Sequence, residues 1–250
     1  MTDIWAACGT RATPTALDGT VLRLVESQEQ VATNSLVRTL AEQALLEDLL
    51  ERTKPPMPVE ATQLHYLLAT PFRYPPLRHG SRFGRRSQPS LFYGARTVTT
   101  LLAEGAYYRF VFWSGMETPP AGTLNTRHTV FGATIRTQQA LCLQCPPFDE
   151  YATTLRDRSS YADTQALGSA MREAGIEGFE FTSARDQEQG INVGLFSPAA
   201  LASDRPTSIT EWLCETRAEL VRYYSREAPE LREFPLDQFT VDGSLPSPAT

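Results

Sequence analysis

Lysine is almost missing from this 250-residue chain: Lys54 is the single one among 23 basic residues. Four cysteines (Cys8, Cys142, Cys145 and Cys214) are too few for a disulfide scaffold at this size. Long apolar runs are absent too. No stretch approaches the roughly 18 consecutive apolar residues that a membrane-spanning helix needs, so no membrane contact is expected. The opening MTDIWAACGTRATP has no basic region followed by an apolar one, so no secretory signal is expected. Together these absences predict a soluble, cytoplasmic protein with reduced thiols.

Familiar catalytic signatures are lacking as well. The chain has no G-x-G-x-x-G, no G-x-x-x-x-G-K-[ST], no H-E-x-x-H and no G-x-S-x-G, which argues against a Rossmann oxidoreductase, a P-loop NTPase, a zincin and an α/β-hydrolase. Cys142-Leu143-Gln144-Cys145 matches C-x-x-C, but no second Cys or His pair follows at metal-ligand spacing. On a strand the two thiols need not converge. They are read as half-buried cysteines, and no metal is expected. The three histidines, His65, His79 and His128, are scattered and form no ligand pattern.

What is present is ordinary for a globular fold: 41% hydrophobic residues and a net charge of −6. The charge is unevenly spread. Residues 61–103 contain no Asp or Glu but six arginines: Arg73, Arg78, Arg82, Arg85, Arg86 and Arg96. Across 61–148 there are nine arginines and two acids, Glu104 and Glu117. A basic segment within an acidic protein suits a small anion held in a cleft better than a long polyanion, which the whole molecule would repel. Direct nucleic-acid binding is therefore not expected.

Residues 1–33 read as irregular and peripheral. Asn34 or Ser35 is placed to cap a helix running to about Arg52, ended by Lys54-Pro55-Pro56. SLFYGA (90–95) reads as a short buried strand and 97–106 as the helix after it. Residues 107–113, 126–136 and 139–144 read as strands. Asp163 is placed to cap a helix through Glu173 that Gly175 stops, and 179–182 and 191–196 read as strands. Ser208 and Glu211 have capping-box spacing and predict a helix towards Tyr224. The fold class expected is α+β with mostly antiparallel strands. Its expected parts are an extension over 1–63 with one helix, a central domain over 64–200, a C-terminal helix within 201–240 packed on that domain, and a frayed tail over 241–250.

Arg82, Tyr93 and Glu104 stand eleven residues apart in turn, on a loop, a strand and a helix. With GSRFG (80–84), LFYGA (91–95), the Ala103-Glu104 helix, YADTQALGSAMREAGIEGFEFTSAR (161–185) and GINVGLF (190–196), the sequence resembles the RES-domain family, NAD-degrading toxins of RES/Xre-type bacterial toxin–antitoxin systems. The series spans roughly residues 64–200, and 1–60 lie outside it. In the loop, Ser81 replaces the second Gly of the commoner Gly-Gly-Arg-aromatic-Asn form and Gly84 replaces its Asn.

The resemblance implies a fold related to the ADP-ribosyltransferases and cleavage of the nicotinamide–ribose bond of NAD, with NAD as substrate and no further cofactor. It implies that Arg82 holds the pyrophosphate or orients the ribose, and that Tyr93 stacks on or encloses the nicotinamide. Glu104 would meet the ribose, Ser183 the ribose or the amide, and Arg73 a phosphate, while Asn192 takes the place of the family's strand-entry Asn. It also implies an Xre-like antitoxin partner and a homodimer. The acceptor is left open: water, phosphate or a protein, the last giving a mono-ADP-ribosyltransferase. A non-catalytic NAD-binding module is the remaining alternative.

Overall fold

The computed structural model describes residues 3–27, 37–227 and 229–247. Its eight strands are β1 (Thr15–Glu26), β2 (Phe92–Ala95), β3 (Leu124–Cys142), β4 (Gly178–Thr182), β5 (Ile191–Leu195), β6 (Ser208–Thr216), β7 (Leu220–Ser225) and β8 (Glu230–Pro235). They form one sheet in the order β1-β2-β5-β4-β3-β6-β7-β8, with β1 also paired to β3. That extra pairing runs from Thr15 opposite Ala140 to Glu26 opposite His128. Strands β1, β2, β5, β4 and β3 thereby close on one another, which removes their free edges. β6, β7 and β8 continue outward from β3. Every pairing is antiparallel except β3 with β4. The expected α+β class with a mostly antiparallel sheet is the one observed.

The helices are α1 (Ile4–Cys8), α2 (Leu40–Thr53), α3 (Tyr66–Arg73), α4 (Val98–Ser114), α5 (Ala152–Leu155) and α6 (Ala162–Glu173). Among the described residues no helix is long and apolar enough to cross a membrane. Thr39 caps α2 by accepting the Glu42 N–H at 3.1 Å; Asn34 and Ser35, expected to cap it, lie outside the described residues. None of the α2 side chains is buried, and Leu40 is 90% exposed.

Several expectations are overturned. The N-terminal region is no peripheral coil, since β1 is built into the sheet by two neighbours. Residues 107–113 are the second half of α4, not a strand. Gly105 does not end this helix; a Cβ there would fall 2.6 Å from Leu24 Cδ2 and 2.9 Å from Tyr223 Oη, so glycine lets α4 lie against β1 and β7. The packed face of α4 carries Leu102, Ala106, Tyr107 and Phe110, in one core with Trp212, Val221 and Tyr223, while Tyr108 and Phe112 are exposed.

The helix expected from Ser208 is instead β6. Trp212, Cys214 and Thr216 are buried while Ile209, Glu211 and Leu213 are exposed. That period of two suits a strand with one covered face, and a helix would scatter the same residues around its circumference. The tail is packed at least to Pro246, whose carbonyl accepts from Tyr107 Oη at 2.8 Å. Cys142 and Cys145 do converge, as a disulfide. β3 stops at Cys142 and the chain turns there, with the Cys145 N–H bonded to the Cys142 carbonyl, so the alternation of a strand no longer separates them.

Candidate active site

The sheet register brings the motif residues together. Ala95 of β2 lies opposite Asn192 of β5, and Asn192 lies opposite Phe181 of β4, two residues before Ser183. Thr97 caps α4 immediately after β2, accepting the Thr100 N–H, and Glu104 follows on the second turn of that helix. Glu104 is half-buried and faces β5 and the end of β4.

Its carboxylate is held from one side. Ser183 Oγ donates to Oε1 at 2.6 Å and Asn192 Nδ2 donates to the same atom at 2.7 Å. Ser183 Oγ in turn accepts the backbone N–H groups of Arg185, at 3.1 Å, and Asp186, at 3.0 Å. Two donors pointing at a hydroxyl oxygen polarise it and strengthen the bond it donates. The Asp186 carboxylate accepts from Thr100 Oγ1 on α4 and from the Gly190 N–H ahead of β5, tying the same elements together from below. Among the described residues no donor is bonded to Oε2, and Glu104 lines an adjoining cleft.

That cleft measures about 140 Å³, and its walls include Arg82, Tyr93, Glu104, Tyr108, Tyr161 and Asn192. Arg82 is buried, and its Nη1 donates to the carbonyls of Asp157, at 2.7 Å, and Leu155, at 3.3 Å. The guanidinium lies 4.5 Å from the centre of the Tyr161 ring, in cation–π geometry. The Tyr93 ring meets Phe181 edge-on at 6.3 Å between centres. Burial pushes the Tyr93 hydroxyl up to about 12, against the lowering by its hydrogen bonds and by Arg82, so it stays protonated throughout the neutral range. Tyr108, one helical turn beyond Glu104, lines the same cleft and is 43% exposed.

Of the residues singled out from the sequence, Arg82, Tyr93, Glu104 and Asn192 line one cleft, and Ser183 stands behind Glu104. Arg73 does not join them. It ends α3, where Nη1 pairs with Glu51 at 2.6 Å and Nε donates to the Pro55 carbonyl at 2.7 Å. Other arginines of the acid-free stretch and its continuation are likewise engaged elsewhere: Arg96 pairs with Glu180 and Arg109 with Glu26, acids supplied by distant segments. Arg82 is the one arginine among the described lining residues. Tyr108 and Tyr161 were not foreseen. Tyr108 is legible as the i+4 neighbour of Glu104 once residues 107–113 are read as helix; Tyr161 has no local signal. A larger cleft of about 310 Å³ lies between β3, β6 and β7 near Arg127 and Tyr224, and none of the motif residues reaches it.

The arrangement offers a fixed carboxylate facing outward, an adjacent guanidinium and aromatic walls. It can stabilise a positive centre beside Glu104 while Arg82 holds a polar or anionic group of the same ligand.

A structure described as the crystal structure of the M. tuberculosis MbcT–MbcA toxin–antitoxin complex is similar, with a TM-score of 0.48 at 11% identity, covering 84% of this chain and 92% of that one. Comparison with curated protein sequences returned no match. The family model of the RES domain matches residues 57–222, well over half of the sequence and all six of the residues singled out above, and the chain therefore belongs to the RES-domain family.

Proposed function

We propose that this protein is a RES-type toxin that consumes NAD by cleaving the bond between ribose C1′ and the nicotinamide nitrogen. The observation that carries the proposal is the Glu104 carboxylate, fixed by Ser183 and Asn192 at the wall of a cleft that also holds Arg82 and Tyr93. As the C–N bond breaks, its electron pair returns to the ring nitrogen and the pyridinium becomes neutral nicotinamide. No general acid is needed for that departure. Positive charge grows on the ribose, as in glycoside hydrolysis, and a carboxylate already in place stabilises it without reorganising. Water or phosphate then bonds C1′, with water losing its proton to solvent.

In this reading Glu104 Oε2 meets the ribose, and Arg82 orients the ribose or its neighbouring phosphate. Tyr93, with Tyr161 and Tyr108, encloses the nicotinamide and excludes water. Ser183 and Asn192 act through Glu104. The cleft is smaller than the roughly 300–1,000 Å³ of a drug-sized ligand site, which fits one end of the dinucleotide inside and the adenosine end outside. The fold would then be used as ADP-ribosyltransferases use theirs. An Xre-like antitoxin as the physiological partner and a homodimer as the free form belong to the same proposal.

The test is nicotinamide release from NAD by the purified protein and its Glu104→Gln variant. Turnover by the wild type is expected, with a loss of about 10²–10³-fold in the variant, the scale of removing a principal electrostatic stabiliser. Equal rates would exclude this use of Glu104. Labelled NAD that marks a protein would identify a protein acceptor, and a rise in melting temperature with NAD but no nicotinamide release would identify a binding module instead.

A further inference from the structure

The Tyr93 side chain serves two places at once. Its ring lines the cleft, while its hydroxyl lies 3.0 Å from the Phe83 N–H and 3.0 Å from Ser81 Oγ, the residues on either side of Arg82. The Phe83 amide can only donate, so Tyr93 Oη accepts there. The phenolic proton then needs an acceptor of its own, because a donor kept from water and left unbonded opposes folding. Among the described residues, Ser81 Oγ is the oxygen within hydrogen-bond distance. A glycine at position 81, as in the commoner form of this loop, would leave that proton without it.

The rest of the loop is gripped from the opposite side. Gln165 Nε2 on α6 donates to the carbonyls of His79 and Ser81, each at 3.0 Å. The Ser81 N–H donates to the Gly84 carbonyl at 2.8 Å. Gly80 has φ +72°, and a Cβ there would fall 2.3 Å from Gly84 O, so the tight turn requires glycine. The Phe83 ring is wedged edge-on against Phe179 and Phe181 at 4.8 Å. With the backbone fixed on both sides of Arg82, the direction in which its guanidinium enters the cleft is set before any ligand arrives. Preorganisation of this kind matters most for a group that must meet a substrate at one orientation.

We infer that Ser81 is a positioning residue that, through the Tyr93 hydroxyl, fixes how Arg82 enters the cleft. The inference rests on the reading of that cleft as the NAD site. It gives Tyr93 a second task besides enclosing the ring of the substrate, and it makes Ser81 a functional replacement for glycine in this chain.

The experiment uses the full chain with Ser81→Ala, Ser81→Thr and Tyr93→Phe, and Ser81→Ala combined with Tyr93→Phe or with Arg82→Ala. Two quantities are measured: kcat/KM for nicotinamide release, and amide hydrogen exchange over residues 80–84 without substrate. Ser81→Ala should lower kcat/KM about three- to tenfold, the scale of one hydrogen bond, and speed exchange in the loop. Ser81→Thr, which keeps the hydroxyl, should restore both. Added to Tyr93→Phe or to Arg82→Ala, the Ser81→Ala change should cost no further activity, an outcome that a merely structural role would not produce. Unchanged exchange in Ser81→Ala overturns the inference, as does an activity loss of the same size whether or not Arg82 is present. If the wild type releases no nicotinamide, the functional reading fails, and exchange in the Ala and Thr variants still decides whether the hydroxyl pair holds the loop.

Discussion

Glu104 sits beside Gly105 in a helix whose acids are otherwise absent, and its oxygen Oε1 collects the side-chain donors of Ser183 and Asn192. The two supports differ in how deeply they are tied in. Ser183 Oγ is also the acceptor for two buried backbone N–H groups, so Ser183→Ala strands both as well as releasing the carboxylate. Such unmet groups cost about 1–3 kcal/mol each. Urea unfolding of Ser183→Ala should show a loss of about 2–6 kcal/mol for the two, together with a fall of about tenfold in kcat/KM. Asn192→Ala removes one donor beside a cleft that water can enter, and its stability cost should be smaller for a comparable kinetic loss. A Ser183→Ala protein as stable as the wild type would contradict the assigned network.

The loop carrying Arg82 is one partner of a two-element joint, and α6 is the other. Gly168 lies where that helix meets the loop: a Cβ there would fall 1.9 Å from the Phe83 carbonyl oxygen and 2.7 Å from its carbon. No flexible side chain is available to yield, only backbone. Gly168→Ala, harmless to an isolated helix, should therefore lower stability by about 1–3 kcal/mol, as overpacking does, and push the loop away from α6. Thermal melting would report the first effect and nicotinamide release the second. Retention of both would mean that the joint is looser than the close approach implies. Element type was legible in β2, β4, β5 and α6, although α6 starts at Ala162 with Tyr161 at its N-cap and Asp163, expected to cap it, lies inside its first turn. It was misread in β6, where a capping-box spacing coincided with the start of an alternating strand, and in the second half of α4, where a run of aromatic and β-branched residues has the composition of a strand but is covered as a helix.

Over the whole molecule, charge pairing joins segments far apart in the chain. His128 of β3 is buried between β1 and β6, with Nε2 bonded to Thr126 and the ring edge-on to Tyr223. Burial first, and then the Arg109 charge, hold its pKa down to about 4. The unfolded chain takes up a proton near the ordinary value of 6.5, so lowering the pH favours the unfolded state first. The stability involved is present above about 6.5 and is lost as the pH falls from there towards 4. Between pH 7 and pH 5 the loss should reach about 2 kcal/mol, measured as the difference in urea unfolding between the wild type and His128→Asn. Parallel pH dependence in both proteins would exclude this role for His128.

The sequence by itself determined the family, through an ordered series of short motifs, and singled out Arg82, Tyr93, Glu104, Ser183 and Asn192 as candidates within it. Local spacing and residue type carry that information, because each residue is tied to a particular loop, strand or helix. Only the tertiary structure decided which of the many arginines faces the cleft. Linear charge does not reveal that Glu51, Glu26 and Glu180 fold back to neutralise Arg73, Arg109 and Arg96. Nor could it show that Ser183 and Asn192 act on Glu104, or that the Tyr93 hydroxyl binds the Arg82 loop, since these contacts are fixed by sheet register and helix packing between residues up to 88 positions apart.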